Sequence, residues 1–480
     1  MKLFGPAELA ALPADKFFTQ LSAALSDGGR AAAYFASPAE GGWRLCAALA
    51  HDRAGRLDLL LSKLLAGGFP SLTPRFPQLH LFEREIFELS GLRPEGHPWL
   101  KPVRYPAGGP DPGTGDFFRV HGPEVHEVAV GPVHAGVIEP GHFRFQCHGE
   151  NVFHLEIALG YQHRGVEKAL SAGPDARSMH YAETLAGDTT IGHAWAYCGV
   201  LEALSGCAVP PRAQVLRGVL LELERLANHT GDLGALSGDV AYLPTASFCG
   251  RLRGEYLNMT ALVCGNRFGR NALRPGGVDF DLEPARAAEL LRRLEDVFRD
   301  TEGAVSLLWD TPSVTERFEN TGLVSRADAA ALGLVGPAAR ASGVDIDIRR
   351  DFPYGPYLKY DPPQPGRGDV YARAYMRWDE IVRSVRLIRG WLASLPAGPL
   401  AAACGDPAPD SAAVSLVEGW RGQICHAAFT GPGGRFLRYK VVDPSFHNWQ
   451  GLALALRGGQ ISDFPLCNKS FNLSYCGHDL

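Results

Sequence analysis

The stretch VLRGVLLELERLANHTGDLGAL, residues 215–236, constrains the fold more than any other part of the chain. Its apolar residues recur at helical spacing with charges set between them, the pattern of a long amphipathic helix. Helical patterning runs from about 165 to 310 and includes EPARAAELLRRLEDVFRDTEGAVSLLW, residues 283–309. MRWDEIVRSVRLIRGWLASL, residues 376–395, adds another helix, so the body is expected to be mainly helical. The front of the chain reads differently. LFGPAELAALPADKFFTQLSAAL, residues 3–25, reads as one or two helices, while AAAYFAS (31–37) and GWRLCAALAHD (42–52) read as short strands. LHLFEREIFELSG, residues 79–91, reads as a short helix stopped by Gly91 inside an otherwise proline-dense segment. AGGPDPGTGD, residues 107–116, has the composition of a linker. Residues 118–160 are strand-rich, and the tail mixes a strand, GRFLRYKVVDP (434–444), with a helix, WQGLALALRGG (449–459). The expected fold class is α+β. A small α+β module over 1–106 and a linker over 107–117 precede a mainly helical domain over 118–480 with a strand-rich N-terminal section.

Composition excludes several function classes. The 480 residues are 46% hydrophobic and 21% charged, an ordinary globular mix, with a net charge of −5. A nucleic-acid surface ordinarily needs a basic excess, so no nucleic-acid partner is expected. The most apolar run, Ile191 to Pro210, is interrupted by His193, Glu202 and a proline pair. A spanning helix needs roughly 20 mostly apolar residues. The N-terminus lacks the pattern of a secretory leader. There is no G-x-G-x-x-G after a strand and no G-x-x-x-x-G-K-[ST], and GPGG at 431–434 reads as a turn. Ten cysteines are dispersed, with no C-x-x-C among them. Zinc and iron–sulfur sites usually show at least one such tight pair, so these read as mostly buried thiols.

Two sets of motifs carry a family resemblance. FPSLTPRFPQLHLFEREIFELSGLRPEGHPWLKP, residues 69–102, resembles the complex I 30 kDa subunit, a module fused to the front of energy-converting hydrogenase large subunits. Then follow GPVHAGVIEPGHFRF (131–145), LGYQHRGVEK (159–168), ERLANHTGDLGAL (224–236), GPAARASGVDIDIRRDFPYGPY (336–357), GDVYARAYMRWDEIVRS (368–384) and DPSFHNWQGLALALRGGQISDFPL (443–466). In this order they resemble the nickel–iron hydrogenase large subunit of the formate-hydrogenlyase type and its homologue, the complex I 49 kDa quinone-site subunit. The resemblance covers nearly the whole chain.

That family holds nickel and iron with four thiolates from two C-x-x-C pairs, the soft donors such metals require. Here the first pair falls on Ala186 and Thr189, and the second on Ser474 and Gly477. Cys476 and His478 supply too few ligands to replace them, so no metal and no cofactor bound by this chain is expected. Complex I also lacks the thiolates and binds a quinone headgroup with an early-loop histidine and a tyrosine. The loop offers His134 and His142, whereas the tyrosine position is Gly187. Asp188 and His193 are candidate replacement proton donors; the other reading of His193 is a satisfied helix histidine. Glu139, in E-P-G-H-F, occupies the position of a hydrogenase proton-relay glutamate; its other reading is a cap or a partner of Arg144. Glu224, Arg225, His229 and Asp232 form a charged set on the long helix, read either as a structural ion-pair network or as a proton-coupling group.

Two functions follow from the resemblance. In the first, the chain is an oxidoreductase subunit, fed by iron–sulfur clusters in a small-subunit partner and reducing an acceptor such as a quinone. In the second, it is a catalytically empty scaffold between a formate dehydrogenase-type module and an ion-translocating membrane arm. Both imply a peripheral position on the cytoplasmic side of the inner membrane and an exposed apolar patch in the isolated chain.

Overall fold

The computed structural model describes residues 1–106, 109–136, 138–171, 173–358, 360–362 and 366–480. Residues 107 and 108 of the expected linker therefore lie outside the described residues. The fold is α+β, as the sequence implies.

The front module is an antiparallel sheet of Arg30–Ala39, Gly42–His51 and Arg56–Leu61, in that order. Helix Ala14–Ser26 buries Phe17, Leu21 and Leu25, spaced four apart along one face. Helix His80–Ser90 ends at Gly91, whose φ of 74° is the left-handed conformation that glycine adopts without strain. The first residues depart from the helical reading of 3–25. Lys2–Phe4 is a strand paired with Ala412–Val414, and the helix begins only at Ala14. The apolar periodicity was shared by two elements: Phe4 is buried in the sheet, and Pro6 and Pro13 separate strand from helix.

The body is built around helix Pro211–Asp239, which packs on Leu243–Cys264 and Val370–Ala393. The strand-rich section is a three-stranded antiparallel sheet of Val125–Val130, His142–His148 and Asn151–Ala158. A second sheet is less legible in the sequence. Ala412–Gly419, Gly422–Thr430 and Phe436–Val442 form a meander completed by Lys2–Phe4. Its first two meander strands are buried at every position, so they lack the alternation that marks a half-exposed strand. Helix Thr190–Ser205 lies on this sheet and is buried nearly all round. It is too short to cross a membrane, and no helix among the described residues is long and apolar enough to do so. The sheet thus presses the loop before Thr190 against the C-terminal tail.

Candidate functional site

The loop 184–189 and the tail helix Tyr475–Asp479 meet beneath this sheet. Arg164 ties them together, donating to the carbonyls of Thr184, Leu185 and Cys476. The four positions at which the resemblance expects ligand cysteines are taken up by packing. Ala186 is fully buried. Thr189 Oγ1 accepts the indole N–H of Trp420 at 3.1 Å. Ser474 caps the tail helix, its Oγ accepting from Gly477 N at 2.9 Å. A side-chain carbon at Gly477 would lie 2.8 Å from both Cγ and Oδ2 of Asp443. The Cys476 thiol is pushed up to about 11 by burial and by Glu139, so it is a thiol and not a ready thiolate at neutral pH. Among the described residues no group of three or more His, Cys, Asp or Glu is arranged to hold a metal. These residues do not fit a thiolate-held nickel–iron group.

Around Gly477 a polar chain fills the interior. Asp443 Oδ2 accepts from His193 Nε2 at 3.0 Å, His193 Nδ1 lies 3.1 Å from His426 Nε2, and His426 Nδ1 lies 2.9 Å from the Tyr439 hydroxyl. All four side chains are buried. Burial works against the Asp443 charge, but the hydrogen bond and charge of His193 and the charge of Arg421 hold it below the usual carboxylate range. Burial and the neighbouring His193 push His426 well down, so it is neutral.

Asp188 forms a two-point ion pair with Arg421, at 2.5 and 2.8 Å. The neighbouring Glu224 accepts from the backbone N–H groups of Ile191 and Gly192, at 2.7 and 3.2 Å, at the start of helix Thr190–Ser205. Burial, reinforced by the Asp188 charge, still pushes Glu224 up to about 8. It is therefore a protonated carboxyl at neutral pH that can lose its proton just above it. The void beside Asp188 and Glu224 is only about 10 Å³.

The expected site residues divide. Glu139 hydrogen-bonds the Cys476 thiol, and Asp188 and His193 join through Arg421 and Asp443, so these three surround the tail. Arg144 pairs instead with Glu127 at 2.9 Å, which leaves it unavailable as the structural partner of Glu139. His134 lies further out, its Nε2 3.0 Å from Gly141 O and its ring beside Phe143. It lines a largely apolar cavity of about 470 Å³ with Ile138, Phe143, Phe464, Leu473 and Tyr475. His142 does not join this group. It turns toward Phe117 and Gly131 O, on the other side of its strand.

Residues 239–407 match the family described as respiratory-chain NADH dehydrogenase, 49 Kd subunit, and residues 44–114 match the 30 Kd subunit. The carbon monoxide-induced hydrogenase of Rhodospirillum rubrum is 33% identical over 352 residues, covering 72% of this chain and 97% of that protein. This chain belongs to the hydrogenase large-subunit and complex I 49 kDa family. Formate hydrogenlyase subunit 5 of Escherichia coli (strain K12) is 30% identical over 434 residues, 85% of this chain and 76% of that protein. The NADH-quinone oxidoreductase subunit 4 of Thermus thermophilus is 31% identical over 373 residues, 71% of this chain and 90% of that protein.

Family motifs located the loop and the tail, but the residues that fill the space between them were missed. Asp443 was visible only as part of a matching block, and Arg421 and His426 sit in the hairpin that the sequence did not show as strands. A charged residue and a histidine inside an otherwise apolar run were the available signal, since such groups enter a core only when paired.

Proposed function

We propose that this chain is the large subunit of a complex I-like or hydrogenase-like oxidoreductase that works without a nickel–iron centre, peripheral to the cytoplasmic face of the inner membrane. Iron–sulfur clusters of a small-subunit partner deliver electrons, and an acceptor of the quinone class takes them in the His134 cavity. Membrane ion-translocating subunits, and a formate dehydrogenase-type donor, are the partners this reading implies. The observation that carries it is the cavity itself. Where the family holds metal, side chains fill the space, whereas one layer outward an apolar void with a histidine in its wall remains. Its volume falls in the range of small-molecule sites, roughly 300–1,000 Å³. A flat apolar ring suits such walls; with Nε2 turned to the Gly141 carbonyl, the His134 imidazole donates to a quinone carbonyl through Nδ1 when it is doubly protonated. In this reading Glu139, a neighbour of Tyr475 and hydrogen-bonded to the Cys476 thiol, returns the protons. Val133 and Ile138 on the same loop are 74% and 56% exposed, an apolar rim suited to a partner subunit.

The test is quinone reduction by the purified complex. His134→Ala and Ile138→Trp should each lower turnover at least about tenfold if a charge-assisted or direct hydrogen bond and an open cavity are needed. Unchanged turnover in both variants would remove the cavity from the mechanism, and stoichiometric nickel would overturn the metal-free reading. The scaffold reading has its own support in the filled ligand positions. It requires that the complex assemble and transfer electrons elsewhere while both variants behave as the unaltered protein.

A further inference from the structure

Fully buried arginines in this chain almost all have a carboxylate. Arg104 pairs with Glu85, Arg217 with Glu202, Arg377 with Asp232 and Arg421 with Asp188. Arg373 does not, but each of its three nitrogens has a neutral acceptor: its Nε donates to Ser470, its Nη1 and Nη2 to the Gly368 and Gly322 carbonyls, and its plane lies over Phe471. The half-buried Arg84 is different. Its Nε and one Nη2 hydrogen go to the carbonyls of Lys101 and Pro102, both at 2.8 Å. Among the described residues nothing accepts from Nη1, which leaves the end-on Nη1–Nη2 fork free.

The neighbouring carboxylates are engaged elsewhere. Glu88 accepts the backbone N–H groups of Val103, Arg104 and Tyr105. Glu156 is taken by Lys101 and by Phe118 N. Burial lowers the pKa of Arg84 and outweighs the opposing pull of Tyr105, Glu156 and Glu88, none of which bonds the guanidinium directly. Arg84 is in the wall of a cavity of about 330 Å³ between the front module and the body, together with His80, Phe117, Trp449 and His478. Burial and the Arg84 charge push His80 down to about 3, so this histidine adds no positive charge of its own. The Trp449 indole N–H, in a side chain only 3% exposed, has no hydrogen-bond partner. The cavity thus combines a guanidinium with a free end-on fork and aromatic walls.

We infer that this cavity binds a small organic carboxylate, its charge held end-on by Arg84 and its apolar part against Phe117 and Trp449. One free guanidinium and neutral histidines match a monoanion. Lys101 and Glu156 in the same wall pair with each other, and Asp116 opposes a dianion. A planar fork fits a carboxylate at two points, a geometry that a neutral amide does not reproduce. The site is separate from the His134 cavity and does not depend on the redox reading.

Calorimetric titration of the purified protein with benzoate tests this, with benzamide and inorganic phosphate as parallel probes. Benzoate should bind saturably at one site, about 10- to 100-fold more tightly than benzamide, the ratio expected for a hydrogen-bonded charge. Arg84→Gln should abolish the difference between the two. Leu100→Trp, which fills the cavity from a side chain that makes none of the Arg84 hydrogen bonds, should weaken benzoate equally and serves if Arg84→Gln fails to fold. No saturable benzoate binding, equal binding of benzamide, a preference for phosphate, or benzoate binding that survives Leu100→Trp would each overturn the proposal.

Discussion

Two buried polar clusters flank the Gly419–Gly422 hairpin turn, and they are built on opposite principles. On one side, Glu222, Asp347, Glu380 and Glu418 interlock with Arg225, Arg340 and Arg349. Distances include 3.1 Å for Arg225–Glu222, 2.8 Å for Arg340–Glu418 and 2.7 Å for Arg349–Asp347. Arg340 and His229 both bond Glu380, whose pKa is held well below the carboxylate range: burial opposes this, but the surrounding cations win. On the other side, the Asp443–His193–His426 chain and Glu224 contain groups that are neutral or close to titrating. Trp420 joins the two, edge-on to His229 and donating to Thr189. The first cluster fixes geometry by charge; the second is built from groups near neutrality, beside the positions where the resemblance expects metal ligands.

Breaking the first cluster should therefore have the larger effect. Glu380→Ala leaves three guanidiniums and a histidine without their common acceptor, and removing one partner of a buried network costs about 3–5 kcal/mol. Calorimetric unfolding should show the loss, or the variant should fail to accumulate folded. A melting temperature within a degree or two of the unaltered protein would mean that the network is no more than a solvated charge cluster.

The second cluster should show itself in pH dependence. The folded-state pKa of Glu224, about 8, exceeds its ordinary 4.5. The folded state then holds a proton that the unfolded chain has released, so its contribution is complete below about pH 4.5 and is lost as pH rises toward 8. The expected slope amounts to a few kcal/mol across that window. Glu224→Gln keeps an acceptor oxygen for Ile191 and Gly192 but does not titrate, and denaturant midpoints measured across the window should become flatter. Asp443 produces the opposite slope, since its pKa is depressed from 3.8, but only below that value. The two effects do not overlap. An equally steep profile in Glu224→Gln would place the titrating group elsewhere.

The sequence carried these two clusters unequally. The charged set on helix Pro211–Asp239 was visible because Glu224, Arg225, His229 and Asp232 stand out on a periodic apolar background. Their partners were not. Glu380 and Arg340 lie more than a hundred residues away, and nothing local encodes that Glu224 turns to a helix start while Asp232 pairs with Arg377. The absent cysteine pairs were legible at once, because ligand spacing is a linear property. What replaced them was not, because a filled cavity depends on packing between the hairpin, the loop and the tail. His134 and His142 illustrate the limit: eight residues apart in one motif, they face opposite sides of a strand.

The smallest effect concerns a single methyl group and asks whether the filled position can be reopened. A Cβ at Gly477 would lie 2.8 Å from the Asp443 carboxylate and 2.9 Å from Ser474 Oγ. Asp443 cannot readily yield, since its two oxygens are held by His193 Nε2 and Ser445 N at 3.0 and 2.8 Å. Overpacking of this kind costs about 1–3 kcal/mol, so Gly477→Ala should lower the unfolding midpoint by that amount. If the clash with Asp443 is the cause, the penalty should largely vanish in an Asp443→Ala background, which a double-mutant cycle measures directly. The same geometry predicts that restoring cysteines at 186, 189, 474 and 477 together yields no nickel uptake while Asp443 remains. Nickel bound by that variant would show that the interior relaxes around a metal more readily than it does around a methyl group.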